Sequence, residues 1–579
     1  MIFPDKKIIF TQTTPDESNS ARSATLSFPR LFIIFLLFIT HCSLFITRAQ
    51  QPTQEWVQRF THGNLAFGLS DKLDSLGNVY VLVGTSIADS TNGDYCVLKY
   101  SNSGSLIWSA FYNSPGNLSD VPVAFDVTSQ GDIYVTGYTQ INSLDYITTV
   151  KFNSNGILQW ARIYQGGWGN DEPTNLCLDK QGNVIVIGYS LVSVTLSRAL
   201  TIKYSPAGDS LWVRKFSQLP FASNVFYSVA DDSNNVYGTG LYGTNGWDYL
   251  TVKYNSIGNL LWYNTYDNPQ HSDDVADFVD VDNNMNVFVV GTNVVQSNLF
   301  NNTLLKINSA GTLQWSRIFV GIIGGQGHCV SPGGLVLMPD GNSIYYVTEC
   351  SNGTGGGGYD IVTLKYDSVG DSIWVRTYGG GVDGTQNVAS SLKLDRFGNC
   401  YIIGTGNYIT SGDDYVTLKY LPNGIQQWVV TYNGPLSNSN DQASDAVIDS
   451  GLNVFITGSS SRQNQPQALW DAATIKYSQP IGILGNSNGL PMKFKLNQNY
   501  PNPFNPTTVI EYELPSVSNV ILNMYNITGQ LVKSLVDARQ NAGYYSVAVN
   551  LENLASGVYF YSLISNGSLI DTKKLVLIK

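Results

Sequence analysis

A tryptophan returns along most of this 579-residue chain at steps of roughly 50 to 59 residues. Each tryptophan after the first lies four residues after a glycine. The series consists of Trp56, Trp108, Trp160, Trp212, Trp262, Trp315, Trp374 and Trp428. A fixed period of this length is typical of small units that cannot bury a core alone and are stabilised by stacking on their neighbours. The sequence therefore predicts an array of such units.

Each unit has the pattern of four short β-strands. Residues 117–164 show it most clearly, because runs rich in Val, Ile, Tyr and Thr alternate there with turns rich in Gly and Asn. The predicted strands of this unit are 120–127, 133–138, 145–152 and 158–164. Runs of this kind joined by tight turns predict antiparallel hairpins. Four such strands per unit form one blade of a β-propeller.

Two polar positions recur along the array. An Asp opens the first turn of most units, where it accepts hydrogen bonds from the backbone: Asp74, Asp179, Asp231, Asp282, Asp395 and Asp449. A Lys ends the third strand of every unit: Lys99, Lys151, Lys203, Lys253, Lys306, Lys365, Lys419 and Lys476. Because a residue present in every unit does not mark one special site, we expect these residues and the recurring tryptophans to stabilise the scaffold.

The repeat resembles the secreted bacterial β-propeller repeats of the SBBP type. The likeness lies in motifs such as Asp414-Tyr-Val-Thr-Leu-Lys-Tyr420 followed by Gly424 and Trp428, and it covers roughly residues 56–477. The resemblance implies a propeller fold. The family name implies seven blades, whereas the Trp, turn and Lys elements here each number eight.

The phase of the repeat predicts how the propeller closes. If the first strand of each unit lines a central channel, the chain starts one strand out of phase. Residues 56–60 are then expected beside residues 473–477 as the outer strand of the last blade, which removes two exposed sheet edges. The expected fold of residues 50–477 is an all-β, eight-bladed propeller with four antiparallel strands per blade, closed by its N-terminal strand.

A different domain is expected after the array. Residues 478–492 break the period and are predicted to be a linker. Residues 493–579 are predicted to form a small Ig-like β-sandwich. This segment resembles the type A C-terminal sorting domain of the bacterial type IX secretion system, in Asn499-Tyr-Pro-Asn-Pro-Phe-Asn505, Tyr525-Asn-Ile-Thr-Gly-Gln530, Ala555-Ser-Gly-Val-Tyr559 and Lys573-Lys-Leu-Val-Leu-Ile-Lys579. The resemblance implies export by the type IX secretion machinery to the outer cell surface or the medium.

The N-terminal 49 residues have the pattern of a signal peptide with an N-terminal extension. Residues 31–46 are strongly apolar, Arg30 precedes them and Thr47-Arg-Ala49 follows them. The apolar run is shorter than the roughly 20 residues that a membrane span needs. We therefore expect residues 1–49 to be removed, which leaves a secreted chain without a transmembrane anchor.

Charge and cysteine content narrow the choice of partners. The net charge of −11 argues against a nucleic-acid partner, because phosphate binding needs a basic surface. Cys96, Cys177 and Cys400 occupy positions where other units have Val, Ile or Leu, so they are expected to be buried. Cys329 and Cys350 share one unit and can form a disulfide in an oxidising exterior, although their spacing alone does not decide it.

A set of acidic residues offers a candidate metal site. They lie eight positions before the first turn of their units and are expected to start the innermost strands: Asp120, Asp171, Asp274 and Asp441, with Asn387 in a fifth unit. Carboxylates around one mouth of a channel can hold Ca²⁺. The alternative is that each one caps the backbone at the entrance of its strand.

Three further tryptophans, Trp168, Trp247 and Trp470, fall outside the repeat position and are expected in loops. Loop aromatics on a rigid scaffold often contact a carbohydrate or a protein. The alternative is burial under a neighbouring loop. These three residues are the candidate ligand-binding residues.

No catalytic residue is predicted. His62, His271 and His328 have no partner at metal-ligand spacing, and no cofactor other than Ca²⁺ is expected. The favoured function is a non-enzymatic exported scaffold that binds a glycan or a surface protein through its loops. The alternative is a secreted propeller enzyme that acts on glycans or resembles quinoprotein oxidoreductases.

Overall fold

A computed structural model describes most of the chain after residue 50. The described residues are 51–86, 93–193, 195–218, 220–243, 246–296, 299–321, 329–330, 332–339, 341–351, 358–379, 386–408, 412–436, 440–462, 469–479, 494–499, 501–540 and 543–578. The predicted signal peptide and residues 480–492 of the predicted linker lie outside them. Within these ranges the chain forms 39 β-strands and no helix, so no helix there is long and apolar enough to cross a membrane.

The repeat region is built from short strands that follow one another as antiparallel hairpins. They are β1 (Thr53–Phe60), β2 (Leu65–Leu73), β3 (Val79–Ser86), β4 (Gly93–Tyr100), β5 (Leu106–Tyr112), β6 (Ser119–Val127), β7 (Ile133–Ile141), β8 (Leu144–Phe152), β9 (Leu158–Tyr164), β10 (Asp171–Leu178), β11 (Val184–Ser193), β12 (Leu196–Tyr204), β13 (Ser210–Lys215), β14 (Ala222–Ala230), β15 (Val236–Gly243), β16 (Trp247–Tyr254), β17 (Leu260–Tyr266), β18 (Asp274–Val281), β19 (Val287–Gln296), β20 (Leu299–Ile307), β21 (Leu313–Phe319), β22 (Gly334–Leu337), β23 (Ile344–Ser351), β24 (Tyr359–Tyr366), β25 (Ser372–Tyr378), β26 (Asn387–Leu394), β27 (Cys400–Tyr408), β28 (Gly412–Tyr420), β29 (Gln426–Tyr432), β30 (Asp441–Ile448), β31 (Val454–Ser461) and β32 (Trp470–Ser478).

Consecutive strands pair in sets of four. Six separate four-stranded sheets are β6–β9, β10–β13, β14–β17, β18–β21, β22–β25 and β26–β29, among the residues described. The other strands form one eight-stranded sheet with the order β30-β31-β32-β2-β3-β4-β5 and with β1 beside β32. We call β2–β5 the first group, and β30–β32 together with β1 the last group. The result is a β-propeller-like all-β arrangement.

The N-terminal strand pairs with the last strand of the repeat region, as the phase of the repeat predicts. Strand β1 runs antiparallel to β32, and Trp56 lies opposite Lys476. The last group then meets the first through one parallel bridge between Leu65 and Trp470. The two ends of the repeat region, about 400 residues apart, are thus joined within one sheet.

The core lies between neighbouring sheets. Strands β3 and β4 are buried along most of their length, because each face of their sheet is covered by a neighbouring sheet. One apolar cluster joins Leu82 of the first group to Ile133 of the next sheet. Another joins Val81 of the first group to Phe455 and Ala472 of the last group. The contact between the first and last groups is therefore of the same apolar kind as that between consecutive sheets.

The recurring Lys and Trp bind the following sheet. In one example, Lys203 Nζ and Trp212 Nε1 both donate to the carbonyl oxygen of Ser256, at 3.3 and 3.1 Å. The same shared acceptor occurs for Lys151 and Trp160 on Pro206, for Lys365 and Trp374 on Pro422, and for Lys476 and Trp56 on Asn102. These bonds give both residue types the scaffold role expected of them.

Substitution of a repeat glycine tests this packing. Gly208 has φ +87°, and a Cβ there would lie 2.8 Å from Trp160 Cδ2. We expect Gly208→Ala to lower the free energy of unfolding by about 1–3 kcal/mol, since it combines backbone strain with a clash. Gly246→Ala, where a Cβ meets open space, is the control in denaturant unfolding. If both substitutions lower the free energy of unfolding equally, the close packing of Gly208 on Trp160 does not stabilise the protein.

The C-terminal region forms two antiparallel sheets. Their strands are β33 (Lys495–Leu496), β34 (Thr507–Leu514), β35 (Ser518–Tyr525), β36 (Leu531–Gln540), β37 (Gly543–Asn550), β38 (Gly557–Ser565) and β39 (Ser568–Leu577). One sheet has the order β33-β34-β37 and the other β36-β35-β38-β39. Buried side chains from both sheets, including Ile510, Tyr512, Leu522 and Tyr561, share one core. This is a sandwich of two packed antiparallel sheets.

The cysteines fall into a disulfide pair and three free thiols, and the expected burial holds for Cys96 and Cys400 but only in part for Cys177. Cys329 and Cys350 form a disulfide, which answers the question that their spacing leaves open. Cys96 and Cys400 are buried among apolar neighbours, and Cys177 is half-buried. The disulfide ties the segment before β22 to β23.

Candidate functional site

The four predicted acidic residues lie where the first strands of their units begin. Asp120 is in β6, and Asp171, Asp274 and Asp441 are the first residues of β10, β18 and β30. Each carboxylate is buried and accepts hydrogen bonds from the loop before its strand and from the next strand. Their donors include Ser114 N and Thr139 Oγ1, Gly166 N and Ser190 Oγ, Asn268 N and Asn293 Nδ2, and Gly434 N and Ser460 Oγ. These bonds are the ones expected of strand-entrance caps, and a Ca²⁺ role for the four residues stays a prediction.

Only Asp274 of these four joins a larger acidic group in the part of the chain described. Its carboxylate lies with those of Asp248 and Asp267, and one oxygen of each is within 4.8 Å of the others. Asp274 is fully buried, Asp248 is half-buried at the start of β16, and Asp267 is exposed just after β17. We call Asp248, Asp267 and Asp274 the acidic site.

Repulsion and burial perturb the carboxylates of the acidic site. Burial, followed by the negative charges of Asp267 and Asp274, raises the pKa of Asp248 to about 6. Burial also raises the pKa of Asp274, although the amides of Asn268 and Asn293 oppose the shift. His271 Nδ1 lies 2.6 Å from Asp267 Oδ2, and this hydrogen bond raises the pKa of His271. A bound cation would relieve the repulsion among the three carboxylates.

The three predicted ligand-binding tryptophans lie in different environments. Trp168 is in the turn between β9 and β10 and is 55% exposed. The expectation that Trp247 and Trp470 lie in loops is wrong, because each is the first residue of a strand and both are half-buried. They extend their strands by pairing with Gly243 and Ser461. Trp470 also packs near the ring of Phe67, with centroids 6.0 Å apart.

Trp247 directly precedes the acidic site. Its backbone N–H donates to Asp273 Oδ1 at 3.0 Å, and the next residue is Asp248. A predicted ligand-binding residue and a predicted metal ligand, Asp274, therefore lie at one location. The sequence does not indicate Asp248 and Asp267, because neither occupies the repeat position that points to Asp274.

A second polar cluster lies on the first strands of three units. We call Ser70, Asp71 and Lys72 of β2, Ser391 and Lys393 of β26, and Asp445 of β30 the inner-strand cluster. Asp445 accepts hydrogen bonds from Ser70 Oγ at 2.6 Å and Ser391 Oγ at 2.7 Å, and it pairs with Lys393 Nζ at 2.9 Å. This network links the last group to the first group and to the preceding sheet.

Charge pairing sets the protonation of two members of this cluster. Burial disfavours the ionised form of Asp445, but Lys393, Lys72 and the hydroxyl of Ser70 outweigh it and hold the pKa of Asp445 at about 2. Burial likewise opposes the charge on Lys393, yet attraction to Asp445 raises the pKa of Lys393 to about 12. The pair is therefore ionised across the physiological range.

Asp71 differs from its neighbours. Its side chain is fully buried, and neither carboxylate oxygen has a hydrogen-bond partner among the described residues. Burial, and then the charge of Asp445, raises the pKa of Asp71 well above its usual range, against the attraction of Lys393 and Lys72. It lies three residues before the first turn, where the other units have Phe125, Leu176, Ser228, Val279, Leu335, Leu392 and Ala446. That break in the repeat is the signal by which the sequence could have revealed the cluster.

A cavity of about 300 Å³ lies away from both clusters. Arg214, Lys215 and Tyr254 line it. Arg214 Nε donates to the carbonyl of Gly258 and Lys215 Nζ donates to that of Gly166. The side chains of Arg214 and Lys215 thus bind backbone carbonyls of the scaffold. None of the predicted site residues lines the cavity.

Comparison with known proteins identifies one segment of the chain. Residues 498–579 match the family described as the secretion system C-terminal sorting domain. Over 283 residues, 38% of this chain, the sequence is 24% identical to an uncharacterised WD repeat-containing protein of Acanthamoeba polyphaga mimivirus, and the match spans 20% of that protein.

Two solved structures share a weak overall similarity with this chain. An ulvan lyase, which is a polysaccharide lyase, has a TM-score of 0.40 and 10% identity over 61% of this chain and 92% of its own. The β-propeller domain of the Trilobed protease from Pyrococcus furiosus has a TM-score of 0.34 and 7% identity over 65% of this chain and 95% of its own. TM-scores this low carry no argument about function.

The C-terminal match establishes the destination of the protein. Proteins with this sorting domain are secreted by type IX secretion and are then attached to the cell surface or released from it. This chain is therefore a secreted protein whose C-terminal domain interacts with the type IX secretion machinery.

Proposed function

We propose that this protein is an exported, non-enzymatic binding scaffold whose repeat region, residues 50–477, is an eight-bladed propeller of the SBBP type. In this proposal residues 1–49 are a signal peptide and residues 493–579 are the sorting domain. The bond pattern of Lys476 and Trp56 on Asn102 supports the ring, because it repeats between the last and first groups the contact that joins consecutive sheets.

The acidic site is the proposed binding centre. Its three carboxylates offer oxygen ligands of the kind that Ca²⁺ prefers, and Ca²⁺ takes roughly six to eight of them. Three aspartates leave coordination positions that sugar hydroxyls can fill. Trp247 is the residue before Asp248 at the start of β16, and an aromatic ring at a strand end can cover the apolar face of a sugar ring. The observation that carries the proposal is the convergence of the three carboxylates within 4.8 Å.

We favour binding over hydrolysis because the carboxylates of the acidic site converge on one point. One oxygen of each lies within 4.8 Å of the others, and the exposed Asp267 and His271 leave one edge of the group open to solvent.

Calcium titration tests the proposed centre. We expect the 51–579 protein to bind one Ca²⁺ in isothermal titration calorimetry and Asp248→Asn to weaken this binding at least ~10-fold, because one anionic ligand is lost. Below about pH 6 the wild-type affinity should also fall, since Asp248 takes up a proton there.

Asp232→Asn is the matched control, because Asp232 is an Asp with an 86% exposed side chain in the same repeat region. A glycan array with and without a chelator then identifies the ligand, and Trp247→Ala should abolish the calcium-dependent signal. Identical isotherms for Asp248→Asn and the wild type would refute the acidic site. Turnover of a bound glycan would favour the enzymatic alternative.

A further inference from the structure

Asp71 lies at the contact between the first and last groups. The neighbouring Ser70 donates to Asp445 on β30, and Ser444 Oγ donates to the carbonyl of Gly68 at 2.8 Å. These bonds, made by residues just before Asp71 on its strand, place β2 directly against β30. This contact joins chain segments that are about 375 residues apart.

The groups around Asp71 do not stabilise a negative charge on its carboxylate. Lys393 is bound to Asp445 at 2.9 Å, so its charge is largely compensated, and Asp445 repels a second anion. Lys72 follows Asp71 on the same strand, but it forms no ion pair with it in the described chain. A buried carboxylate without a hydrogen-bond partner is costly, whereas its protonated form is much less so.

Other charged groups on the strands packed against β2 are engaged elsewhere. On β32, Asp471 pairs with Arg59 at 3.1 Å and Lys476 binds Asn102. On β6 and β30, Asp120 and Asp441 accept bonds from their own loops. Asp126 on β6 is a further anion and accepts the N–H of Val127. None of these groups forms a hydrogen bond to Asp71.

We propose that Asp71 is a proton-controlled latch that strengthens the contact between the first and last groups when its carboxyl is protonated and weakens it when the proton is released. The proton passes to solvent, and no other group need change. The device makes the strength of this contact depend on pH, and the other sheets have apolar residues or Ser at the position of Asp71.

The direction of the pH dependence follows from the raised pKa of Asp71. A carboxyl whose pKa is higher in the folded than in the unfolded state holds more protons when folded. Its contribution to stability is therefore fully present below the ordinary carboxyl pKa of about 4 and is lost as the pH rises through the folded pKa. Asp71→Leu and Asp71→Asn remove this dependence, because neither side chain titrates.

Thermal unfolding of the 51–579 protein between pH 5 and pH 8 tests the latch. We expect both variants to unfold at least ~3 °C above the wild type at pH 8 and to differ from it less at pH 5. Asp232→Asn, an exposed Asp, should follow the wild type at every pH. Parallel wild-type and variant profiles, or a variant less stable than the wild type at pH 8, would overturn the proposal.

Hydrogen exchange of the wild-type protein provides a second test that needs no variant. After correction for the intrinsic exchange rate, amides of β2 and β30 should lose protection between pH 5 and pH 8 by at least several-fold more than amides of β10–β13. An equal change in both regions would overturn the proposal as well.

Discussion

Deletion of residues 51–60 is expected to lower the free energy of unfolding of the repeat region by roughly 4–6 kcal/mol and to promote aggregation. The deletion removes β1, so β32 becomes an exposed edge. It also removes three half-buried apolar side chains, Trp56, Val57 and Phe60. Trp56 packs on Gly104 and donates to Asn102, so the contact between the last and first groups is weakened too.

Denaturant unfolding measures this loss, and a synthetic peptide of residues 51–62 should restore part of it by pairing with the free edge. Removal of residues 51–52 alone is the control, because they lie before β1. A deletion variant that unfolds at the same denaturant concentration as the wild type would show that β1 does not hold the last group together.

Substitution of Lys393 is expected to have the second-largest effect. Lys393→Ala leaves Asp445 buried with hydroxyl donors only, and loss of one partner of a buried pair costs about 3 kcal/mol. The usual loss of unfolding free energy is about 3–5 kcal/mol. We expect a value at the lower end of that range because 32% of the Lys393 side chain is exposed. The cost should shrink in acid, because Asp445 without its cation takes up a proton at a higher pH than its wild-type pKa of about 2.

Lys180→Ala is the matched control for Lys393→Ala. Lys180 pairs with Asp232 at 3.1 Å, but the two side chains are 69% and 86% exposed, and such pairs contribute about 0–1 kcal/mol. Chemical denaturation of both variants at pH 7 and pH 4 measures their losses of unfolding free energy. If Lys393→Ala costs no more than Lys180→Ala, the inner-strand cluster does not stabilise the protein.

The repeated features of the fold are predictable from the sequence because each is local. Gly208 and Trp212 lie four residues apart, and their spacing recurs wherever the same turn and strand recur. The pairing of β1 with β32 follows from the phase of that repeat. The inner-strand cluster is harder to predict, because Ser70 meets Asp445 across 375 residues of chain.

The candidate site is likewise predictable from the sequence only in part. Asp274 is recognisable because other units have an acidic residue at its position, and Trp247 because it falls outside the repeat. Their proximity depends on how the loops beside β16 and β18 fold, which no periodic pattern describes. Trp247 and Trp470 start strands for a related reason, since pairing with the second strand continues one residue further than the turn residues indicate.

An experimental structure of the 51–579 protein is the most direct test of the ring. We predict eight four-stranded sheets around one axis, with residues 53–60 as the outer strand of the last sheet and with Lys476 and Trp56 bound to Asn102 of the first. Seven sheets, an open gap between the first and last groups, or residues 53–60 separated from residues 470–478 would contradict it.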